Sequence, residues 1–399
     1  MLNKKGIREL AYVAEIKSID PIEGSDNCES ATVDGWHIMV RKGQFQVGDK
    51  CVYFEIDSKL DITKECFEFL SKCNGKIKTQ KYTFGGKGLF FSQGLLMRLE
   101  ECGLDADKYK VGDFLTEELG VVYADEADNK RKAGDKPQYN DKFKKAKNKK
   151  IVKWMMRYSL GRKIIFAIFG VKPKKKMLYP WFVIKTDEER CQNLPQSVWA
   201  DKKNTYTCSE KVDGASTTIA IERDHKKYKL WICSRNVVVW DSVNNKVKSG
   251  GYYANLGHNP YVTSAEMYKL CEFLTKYMDE HKDAKWAYLQ GETFGEGVQK
   301  RFYELKGTDF RAFTLVDDVH NRYTYTEMKD ILDEHGIPTV PILVTGFTLP
   351  DTCDELVEMA HGASEIDGGM REGIVLRSEQ NPMFSFKAVD PNFLVKYHG

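Results

Sequence analysis

Short apolar runs separated by turn residues occupy the first sixty positions, and they most constrain how this chain can fold. Residues 7–19 are rich in apolar and β-branched side chains, and residues 51–56 form another apolar run of strand length. The run 31–40 is interrupted by Asp34-Gly35, a dipeptide that favours a two-residue hairpin turn. Several short strands at this spacing predict a small β-barrel.

The sequence beyond residue 180 alternates strand-like and helix-like runs, which predicts a second domain of the α+β class. Residues 186–189 have the pattern of a capping box, with Thr186 as the cap and Glu189 three residues later. We therefore expect a short helix there that ends near Pro195. Further helices are predicted over 264–281, 326–335 and 354–361, and strands over 217–221, 228–233, 286–291, 310–317, 373–378 and 383–389.

Composition is that of a soluble globular protein. The chain has 399 residues, long enough for two or three domains, of which 42% are hydrophobic and 30% charged. No segment resembles a signal peptide, and no uninterrupted apolar run is long enough to span a bilayer. The ten cysteines are scattered without a Cys-x-x-Cys pair. We expect a cytoplasmic protein with reduced cysteines and no membrane partner.

The positive charge is concentrated in one segment. Residues 142–176 hold 14 of the 61 Lys and Arg and no Asp or Glu, which leaves 47 basic and 58 acidic side chains elsewhere. Such a segment suits a phosphate backbone or an acidic partner. Residues 151–169 have helical apolar spacing; a basic amphipathic helix can bind a membrane surface, but packing against a domain is favoured. We predict domains at 1–123 and 181–399, joined by a basic linker at 124–180.

One stretch, residues 209–216, contains a lysine suited to covalent chemistry. A neutral lysine amine attacks phosphoryl centres, and burial or neighbouring cations lower its pKa enough to release it. Asp213 lies two residues beyond Lys211, on the same face of a strand, where its carboxylate can hold a divalent ion. Gly214 lets a ligand approach the backbone closely. Alone, Lys-x-Asp-Gly is equally compatible with an ordinary surface turn.

Further polar motifs follow Lys211 at the ends of predicted strands. Each alone is weak, because Ser-Arg-Asn is a common turn, Gly-Glu a common strand end and Phe313 a plausible core residue. Their order and spacing are specific. They occupy residues 234–236, 291–295, 311–316, 371–377 and 385–389.

This series resembles the motifs of the covalent nucleotidyltransferases, the superfamily of polynucleotide ligases and capping guanylyltransferases. Residues 211–214 resemble the first motif with its nucleophile, and residues 234–236 the second. Residues 291–295, with Gln299-Lys300 and Tyr303 downstream, look like the third motif as RNA ligases have it. Phe313 matches the aromatic residue that stacks on adenine, residues 372–375 match the fourth motif and Lys387 matches the fifth.

The N-terminal half narrows the resemblance to ATP-dependent RNA ligases that carry an OB-fold domain before the catalytic domain. It implies an α+β protein in which an OB-type β-barrel precedes a nucleotidyltransferase domain of antiparallel sheets with flanking helices. The fifth motif departs from the family pattern, which often has two lysines two residues apart. Ser385 and Val389 flank Lys387 at that spacing, so the second cation is unassigned, with Lys396 as a weak candidate.

The resemblance implies three chemical steps. Lys211 attacks the α-phosphate of ATP to give lysyl-AMP, AMP passes to a 5′-phosphate on RNA, and an RNA 3′-hydroxyl then displaces AMP. Glu372 and Asp213 are the expected oxygen ligands for Mg²⁺ or Mn²⁺. Lys387 and the metal would offset phosphate charge and favour the unprotonated form of Lys211.

Other residues are expected to bind the nucleotide and the RNA. Glu292 would accept a hydrogen bond from the ribose, and Phe313 would stack on adenine. The backbone of Glu210 would read the adenine edge. Arg235 would bind either the RNA 5′-phosphate or the triphosphate. The expected RNA-binding residues of the linker are Lys144, Lys145, Lys147, Lys149 and Lys150.

Three alternatives stay open at this stage. A capping guanylyltransferase would use the same lysine with GTP, a DNA ligase would accept a deoxyribose 3′ end, and a nucleic-acid-binding protein would use the barrel and linker without catalysis. The intact motif series disfavours the last. The motifs do not distinguish a nick in a duplex with a template strand, a broken hairpin loop and two free ends. We expect a monomer that takes part in RNA repair.

The linker is predicted to act on RNA and not on ATP. Changing Lys144, Lys145, Lys147, Lys149 and Lys150 to Ser should leave lysyl-AMP formation within about twofold, because distant surface charges are screened. RNA affinity should fall, and each lost phosphate contact should lower the log–log salt slope by about 0.7 to 0.9. Changing the same residues to Arg keeps the charge and is the control. An unchanged affinity and slope in the Ser variant would mean that the charge serves only solubility.

Overall fold

Three small antiparallel sheets form the N-terminal part of the chain in the computed structural model. The structure describes residues 7–124, 179–185, 187–225, 227–243 and 259–399, with Met1, Asn3 and a few positions between 146 and 169. The strand orders are β1-β5-β9, β2-β3-β4 and β7-β8, and β6 pairs with β10. The strands are β1 (Ala11–Glu15), β2 (Ser18–Pro21), β3 (Cys28–Val33), β4 (Trp36–Arg41), β5 (Lys50–Phe54), β6 (Ser58–Lys59), β7 (Thr79–Phe84), β8 (Lys87–Gln93), β9 (Leu95–Met97) and β10 (Val122–Tyr123).

The predicted Asp34-Gly35 turn joins β3 to β4. Asp34 has a left-handed φ of 49°, which this residue type tolerates better than most. A Cβ atom at Gly35 would lie 2.9 Å from the Cα of Gln192, so only glycine allows this close contact with the second domain. Alternate residues of β4 are buried, including Trp36 and Ile38, and they face an apolar cluster inside the barrel.

Two larger sheets form the second domain. One has the order β11-β21-β20-β12-β19 and the other β15-β14-β13-β16-β17-β18, and only the β11–β21 pair among them is parallel within the described strands. The strands are β11 (Glu189–Arg190), β12 (Tyr206–Lys211), β13 (Ala215–Asp224), β14 (Lys227–Ser234), β15 (Val238–Asp241), β16 (Trp286–Gly295), β17 (Thr308–Asp317), β18 (Asn321–Arg322), β19 (Ile342–Phe347), β20 (Gly373–Ser378) and β21 (Ser385–Val389).

Helices cover these sheets and bury their apolar faces. The β13–β17 sheet shares its core with the helices Pro260–Met267, Leu270–Glu280 and Tyr325–Asp333. The β12–β20–β21 sheet packs against the helix Cys353–Ala360. The remaining described α-helices are Thr116–Leu119, Lys150–Met155, Gln196–Ala200 and Pro391–Phe393. The antiparallel sheets with flanking helices agree with the predicted fold class.

Two of the predicted helices are wrong in detail. Thr186 lies outside the described residues, and the helix expected after it is replaced by β11 and a 3-10 turn, Cys191–Asn193. The physical reason is that the β11 backbone pairs with β21, while Arg8 binds the carboxylates of Asp187 and Glu189. The helix expected over 264–281 is broken in two at Lys269, whose φ is 49°.

Buried polar contacts connect the barrel to the second domain. Trp36 Nε1 donates to Asn193 Oδ1 at 2.6 Å, and Asn193 Nδ2 donates to Glu55 Oε1 at 2.8 Å. Val389 and Leu394 near the end of the chain complete the apolar cluster of the barrel. Because both domains contribute to these buried contacts, the barrel is held close to β11 and to the 3-10 turn that follows it.

The chain divides into two compact units, Met1–Ala127 with Tyr179–Gly399, and Asp128–Leu178. In the second unit, the helix Lys150–Met155 lies where the amphipathic helix is expected to begin, and Ala146, Val152 and Ile165 form an apolar cluster. The predicted boundaries 1–123, 124–180 and 181–399 stay predictions. No helix in the described ranges has the length and apolar content needed to cross a membrane.

Candidate active site

The site is built where neighbouring strands end. Lys211 is the last residue of β12 and pairs with Gly373 at the start of β20, immediately after Glu372. The Lys211 Nζ atom lies 2.6 Å from Glu372 Oε2. A Cβ atom at residue 373 would lie 2.2 Å from the carbonyl oxygen of Ala388, so glycine lets β20 and β21 close at this point. The predicted nucleophile and metal ligand are therefore direct neighbours.

Acidic neighbours keep Lys211 charged in the ligand-free protein. Burial opposes the charged form, but the carboxylates of Glu372, Glu292 and Asp213 together outweigh it and raise the pKa of the lysine. Burial raises the pKa of Glu372, an effect that the Lys211 ammonium partly offsets. Without a bound ligand, the lysine is therefore not in the form that attacks a phosphate.

Asp213 is fixed by its backbone and has one unused oxygen. Its N–H donates to Tyr303 Oη at 2.6 Å, and its Oδ1 lies 3.6 Å from His398 Nε2. Its Oδ2 atom is buried and makes no hydrogen bond within the described part of the chain. Burial lowers the pKa of His398, yet the hydrogen bond to Asp213 more than compensates, so the pKa lies above its ordinary value.

These carboxylates fit a hard divalent cation. No group of three His, Cys, Asp or Glu side chains is already arranged around a metal position in the described ranges. However, among the described residues a buried oxygen of Asp213 has no hydrogen-bond partner, and the Glu372 carboxylate accepts from Lys211, which a cation would displace. Carboxylate oxygens are the ligands that Mg²⁺ and Mn²⁺ prefer. Asp213 and Glu372 thus stay the predicted metal ligands.

Glu292 lies on β16, opposite Ser216 of β13. Burial is the main cause that raises its pKa to about 8, and the negative charges of Glu372 and Asp213 add to the effect. At neutral pH the ligand-free site therefore contains a neutral carboxylic acid at this position. A Cβ atom at Gly214 would lie 2.4 Å from the Thr293 carbonyl oxygen, so the motif glycine is required by the approach of β16.

A cluster of cations surrounds Asp187. Arg8 binds this carboxylate with two hydrogen bonds, of 3.0 Å from Nε and 3.1 Å from Nη2. Lys387 Nζ lies 3.4 Å from Asp187 Oδ1, and Arg235 Nη2 lies 3.2 Å from Asp187 Oδ2. Although burial opposes ionisation, Lys387 and Arg8 hold the pKa of Asp187 well below its usual range. One carboxylate therefore brings together two predicted phosphate-binding residues and a cation from the barrel.

The cations near Lys387 come from outside the fifth motif. Lys396 is exposed and lies over its neighbouring ring, 5.0 Å from the Tyr397 centroid. Burial, with the positive charges of Arg8, Arg190 and Lys211, lowers the pKa of Lys387 to about 8, against the effect of Asp187. Arg190 pairs with Lys387 across the parallel β11–β21 pair. These arginines can supply the charge that a second motif lysine would have brought.

The adenine contacts of Glu210 and Phe313 remain predictions, and several polar groups of Glu210 are already used in hydrogen bonds. The Glu210 carboxylate accepts hydrogen bonds from Ser364 Oγ at 2.6 Å and from the Glu365 N–H at 2.8 Å. The Glu210 N–H donates to the Pro341 carbonyl oxygen at 2.9 Å. Its carbonyl oxygen is then the backbone group left to read the adenine edge. Phe313 is half-buried, at a bulge where β17 slips against β16.

The predicted RNA-binding lysines of the linker lie in the second compact unit. Lys144, Lys145 and Lys147 are outside the described residues. Lys149 is exposed, and Lys150 begins the helix Lys150–Met155, with its side chain outside what the structure describes.

Sequence reasoning missed three residues of the site. Asp187 falls inside the predicted capping box after its cap residue, Arg8 lies in the barrel half of the chain, and His398 lies almost at the end of the sequence. The spacing of the strand-end motifs contains no signal for any of them. The nearest signal for Asp187 was its place in an acidic run, which suited a helix start equally well.

Comparisons with known proteins show which family and fold this chain resembles. Residues 204–398 match a family model described as RNA ligase, and residues 10–97 match a model of an OB-fold domain.

A solved structure of a Naegleria gruberi RNA ligase mutant with AMP and Mn is 26% identical, with a TM-score of 0.70 over 98% of this chain and 99% of that chain. The same ligase with PPi has the same identity, coverage and TM-score. Another mutant, with ATP and Mn, is 25% identical over 98% of this chain and 100% of that chain, with a TM-score of 0.69. The search of curated proteins found no match. The predicted fold class and family resemblance are confirmed.

Replacing Lys211 should abolish the covalent nucleotide adduct. Both Lys211→Ala and Lys211→Arg should give none, because alanine has no amine and arginine cannot be deprotonated in proteins. Incubation with labelled ATP and denaturing electrophoresis measures the adduct. The control is Lys203→Arg, an exposed lysine of the same domain that should keep the wild-type signal. A labelled band in either Lys211 variant would place the nucleophile elsewhere.

Glu372→Ala should harm the first step far more than Arg235→Ala. Glu372 contacts the nucleophile and is a predicted metal ligand, so we expect a loss of roughly 100-fold in lysyl-AMP formation. The Arg235 side chain is 47% exposed and contacts Asp187, so about tenfold is expected.

Ligation of pre-adenylylated RNA by the same two variants separates the first step from the later ones. Equal loss of lysyl-AMP formation in both variants would contradict these roles.

Proposed function

We propose that this chain, whose residues 204–398 match a family model described as RNA ligase and whose residues 10–97 match an OB-fold domain, joins a 3′-hydroxyl RNA end to a 5′-phosphate end at the expense of ATP. The observation that carries the proposal is the contact between Lys211 and Glu372, with Asp213 beside it. It places a lysine amine and two carboxylates at one point, which suits attack on a metal-bound phosphate. The complexes of the Naegleria gruberi ligase with ATP, AMP and Mn support ATP and a divalent metal as the cofactors.

Deprotonation of Lys211 is the first requirement of this reaction. The ammonium is held by Glu372 in the ligand-free site, and the pKa is raised. A divalent cation held by Asp213 and Glu372 would supply positive charge that neutralises the α-phosphate and favours a neutral amine. Once Glu372 no longer balances the ammonium, burial and the nearby Lys387 both favour loss of its proton. The neutral amine can then attack the α-phosphate, with pyrophosphate as the leaving group.

The cation cluster around Asp187 is suited to phosphate binding. Arg235 and Lys387 share the Asp187 carboxylate in the ligand-free protein with Arg8, which also contacts Glu55 and Glu189. Guanidinium groups bind phosphate oxygens through paired hydrogen bonds. We assign Lys387 to the nucleotide phosphates and Arg235, the more exposed of the two, to the 5′-phosphate of the RNA or to the triphosphate.

The barrel offers a described surface that fits an RNA partner. The hairpin of β7 and β8 lies within residues 76–93, which contain four lysines and no acidic residue. The rings of Tyr82 and Phe84 are stacked 6.3 Å apart, and Lys81 Nζ lies 5.7 Å from the Phe91 ring centroid. Aromatic rings interleaved with cations bind single-stranded nucleic acid through stacking and phosphate contacts. This surface supplements the proposed role of the basic linker.

The biological setting is part of the proposal. We propose that the enzyme acts as a monomer in RNA repair in the cytoplasm and accepts ends that are free or paired to a template strand. The ten cysteines, none of them in a disulfide within the described ranges, are consistent with a reducing compartment.

The enzyme should prefer RNA at the 3′ side of the junction. Two nicked duplexes that differ only in the sugar of the 3′-terminal nucleotides, ribose or deoxyribose, test this directly. We expect the RNA-ended nick to be sealed at least about tenfold faster, the value of one hydrogen-bonded 2′-hydroxyl. Pre-adenylylated 5′ ends remove any difference in the first two steps. Equal sealing rates would favour the DNA ligase alternative.

A further inference from the structure

We propose that Cys191 and Cys353 form a reversible disulfide when the protein meets a peroxide, so that the second domain has an oxidation site beside its contact with the barrel. The site does not depend on the proposed ligase reaction. It involves a residue of the 3-10 turn Cys191–Asn193 and the first residue of the helix Cys353–Ala360.

The two sulfur atoms are already in contact. The Cys353 thiol donates to Cys191 Sγ with the sulfurs 3.5 Å apart, although the residues are 162 positions apart in the chain. A disulfide bond is about 2.0 Å long, so closure needs a movement of roughly 1.5 Å. Both residues belong to, or pack against, the apolar cluster under the β12–β20–β21 sheet. The first residues of the helix and the short turn are the parts that can move to bring the two sulfur atoms together.

A small oxidant can reach this position. A cavity of about 400 Å³ is lined by Gly35, Gln192 and Asp354, which adjoin the two cysteines. Cys353 is half-buried, whereas Cys191 is fully buried. Cys353 is the first residue of its helix, next to Asp354, which lines the cavity. Burial raises the pKa of the Cys191 thiol well above its ordinary value. The Cys353 sulfur is therefore the first to react.

The chemistry proceeds in two balanced steps. The Cys353 sulfur attacks hydrogen peroxide, an S–O bond forms as the O–O bond breaks, and the products are a sulfenic acid and water. The Cys191 sulfur then attacks the Cys353 sulfur, an S–S bond forms as the S–O bond breaks, and the hydroxyl leaves as water with the Cys191 proton. The peroxide is reduced by two electrons and the two thiols are oxidised by two. A dithiol reductant reverses the change.

The bond would tie two distant parts of the second domain together. The turn Cys191–Asn193 contacts the barrel through Asn193 and the Gln192 carbonyl, which accepts from the Gly35 N–H at 3.0 Å. A cross-link that closes a long loop reduces the entropy of the unfolded chain and stabilises the folded one. The oxidised protein should therefore unfold at a higher temperature than the reduced protein.

Peptide mapping tests the proposal. Native full-length protein is treated with a small excess of hydrogen peroxide, its free thiols are alkylated, and it is denatured and digested with trypsin. Cleavage places Cys191 in the peptide 191–202 and Cys353 in the peptide 330–371, each with a single cysteine. We expect these two peptides cross-linked and lighter by two hydrogens, a Tm raised by several degrees, and reversal of both by dithiothreitol.

Serine variants make the result specific. Cys353→Ser and Cys191→Ser should each lose the cross-link and the rise in Tm. If the variant at the buried Cys191 fails to fold, the variant at the half-buried Cys353 still tests the proposal. Cys208→Ser, in the same apolar cluster, is the matched control and should keep both. Alkylated Cys191 beside a Cys353 oxidised to the sulfinic acid, or a cross-link without a rise in Tm, would overturn the proposal.

Discussion

The ion pair between Lys211 and Glu372 is the interaction on which the site depends. It joins the end of β12 to the start of β20, two adjacent strands in which Lys211 lies opposite Gly373, and the close backbone approach at Gly373 brings β21 against β20. The same approach at Gly214 brings β16, and with it Glu292, to the other side of the lysine. The Lys211 ammonium balances the Glu372 carboxylate without ligand, Glu292 is held neutral by burial, and Asp213 adds a negative charge that a metal cation can neutralise.

The barrel contributes directly to the site and is more than an attached domain. Arg8 reaches Asp187, and through it the Lys387 and Arg235 side chains of the catalytic domain. Arg8 also contacts Glu55 of the barrel, whose carboxylate accepts from Asn193. Displacing the barrel would therefore leave several buried charges without partners, which is costly in a low-dielectric interior. We infer that Arg8 supplies charge beside the single lysine of the fifth motif.

Much of the fold and site could be predicted from the sequence, because the signals for these parts lie within short contiguous stretches of the chain. Strand β4 shows period-two burial after the turn that Asp34-Gly35 specifies, and Lys211, Asp213 and Glu372 lie in motifs that each occupy one strand end. Asp187 could not be predicted in this way. Its acidic neighbourhood suits a helix start, and only the tertiary contact with Arg8, 179 residues away, turns it into a cation-binding residue. His398 and the cysteine pair likewise depend on contacts across the whole fold.

The identity and position of the covalent adduct test this account most directly. The wild-type protein is incubated with equimolar ATP and GTP and Mn²⁺, without RNA, and is then examined by intact and peptide mass spectrometry. We predict one AMP per chain, attached to Lys211 through a phosphoramidate bond. The adduct should be absent when the metal is chelated. GMP on the same lysine, AMP on any other residue, or no adduct with either nucleotide would contradict this prediction.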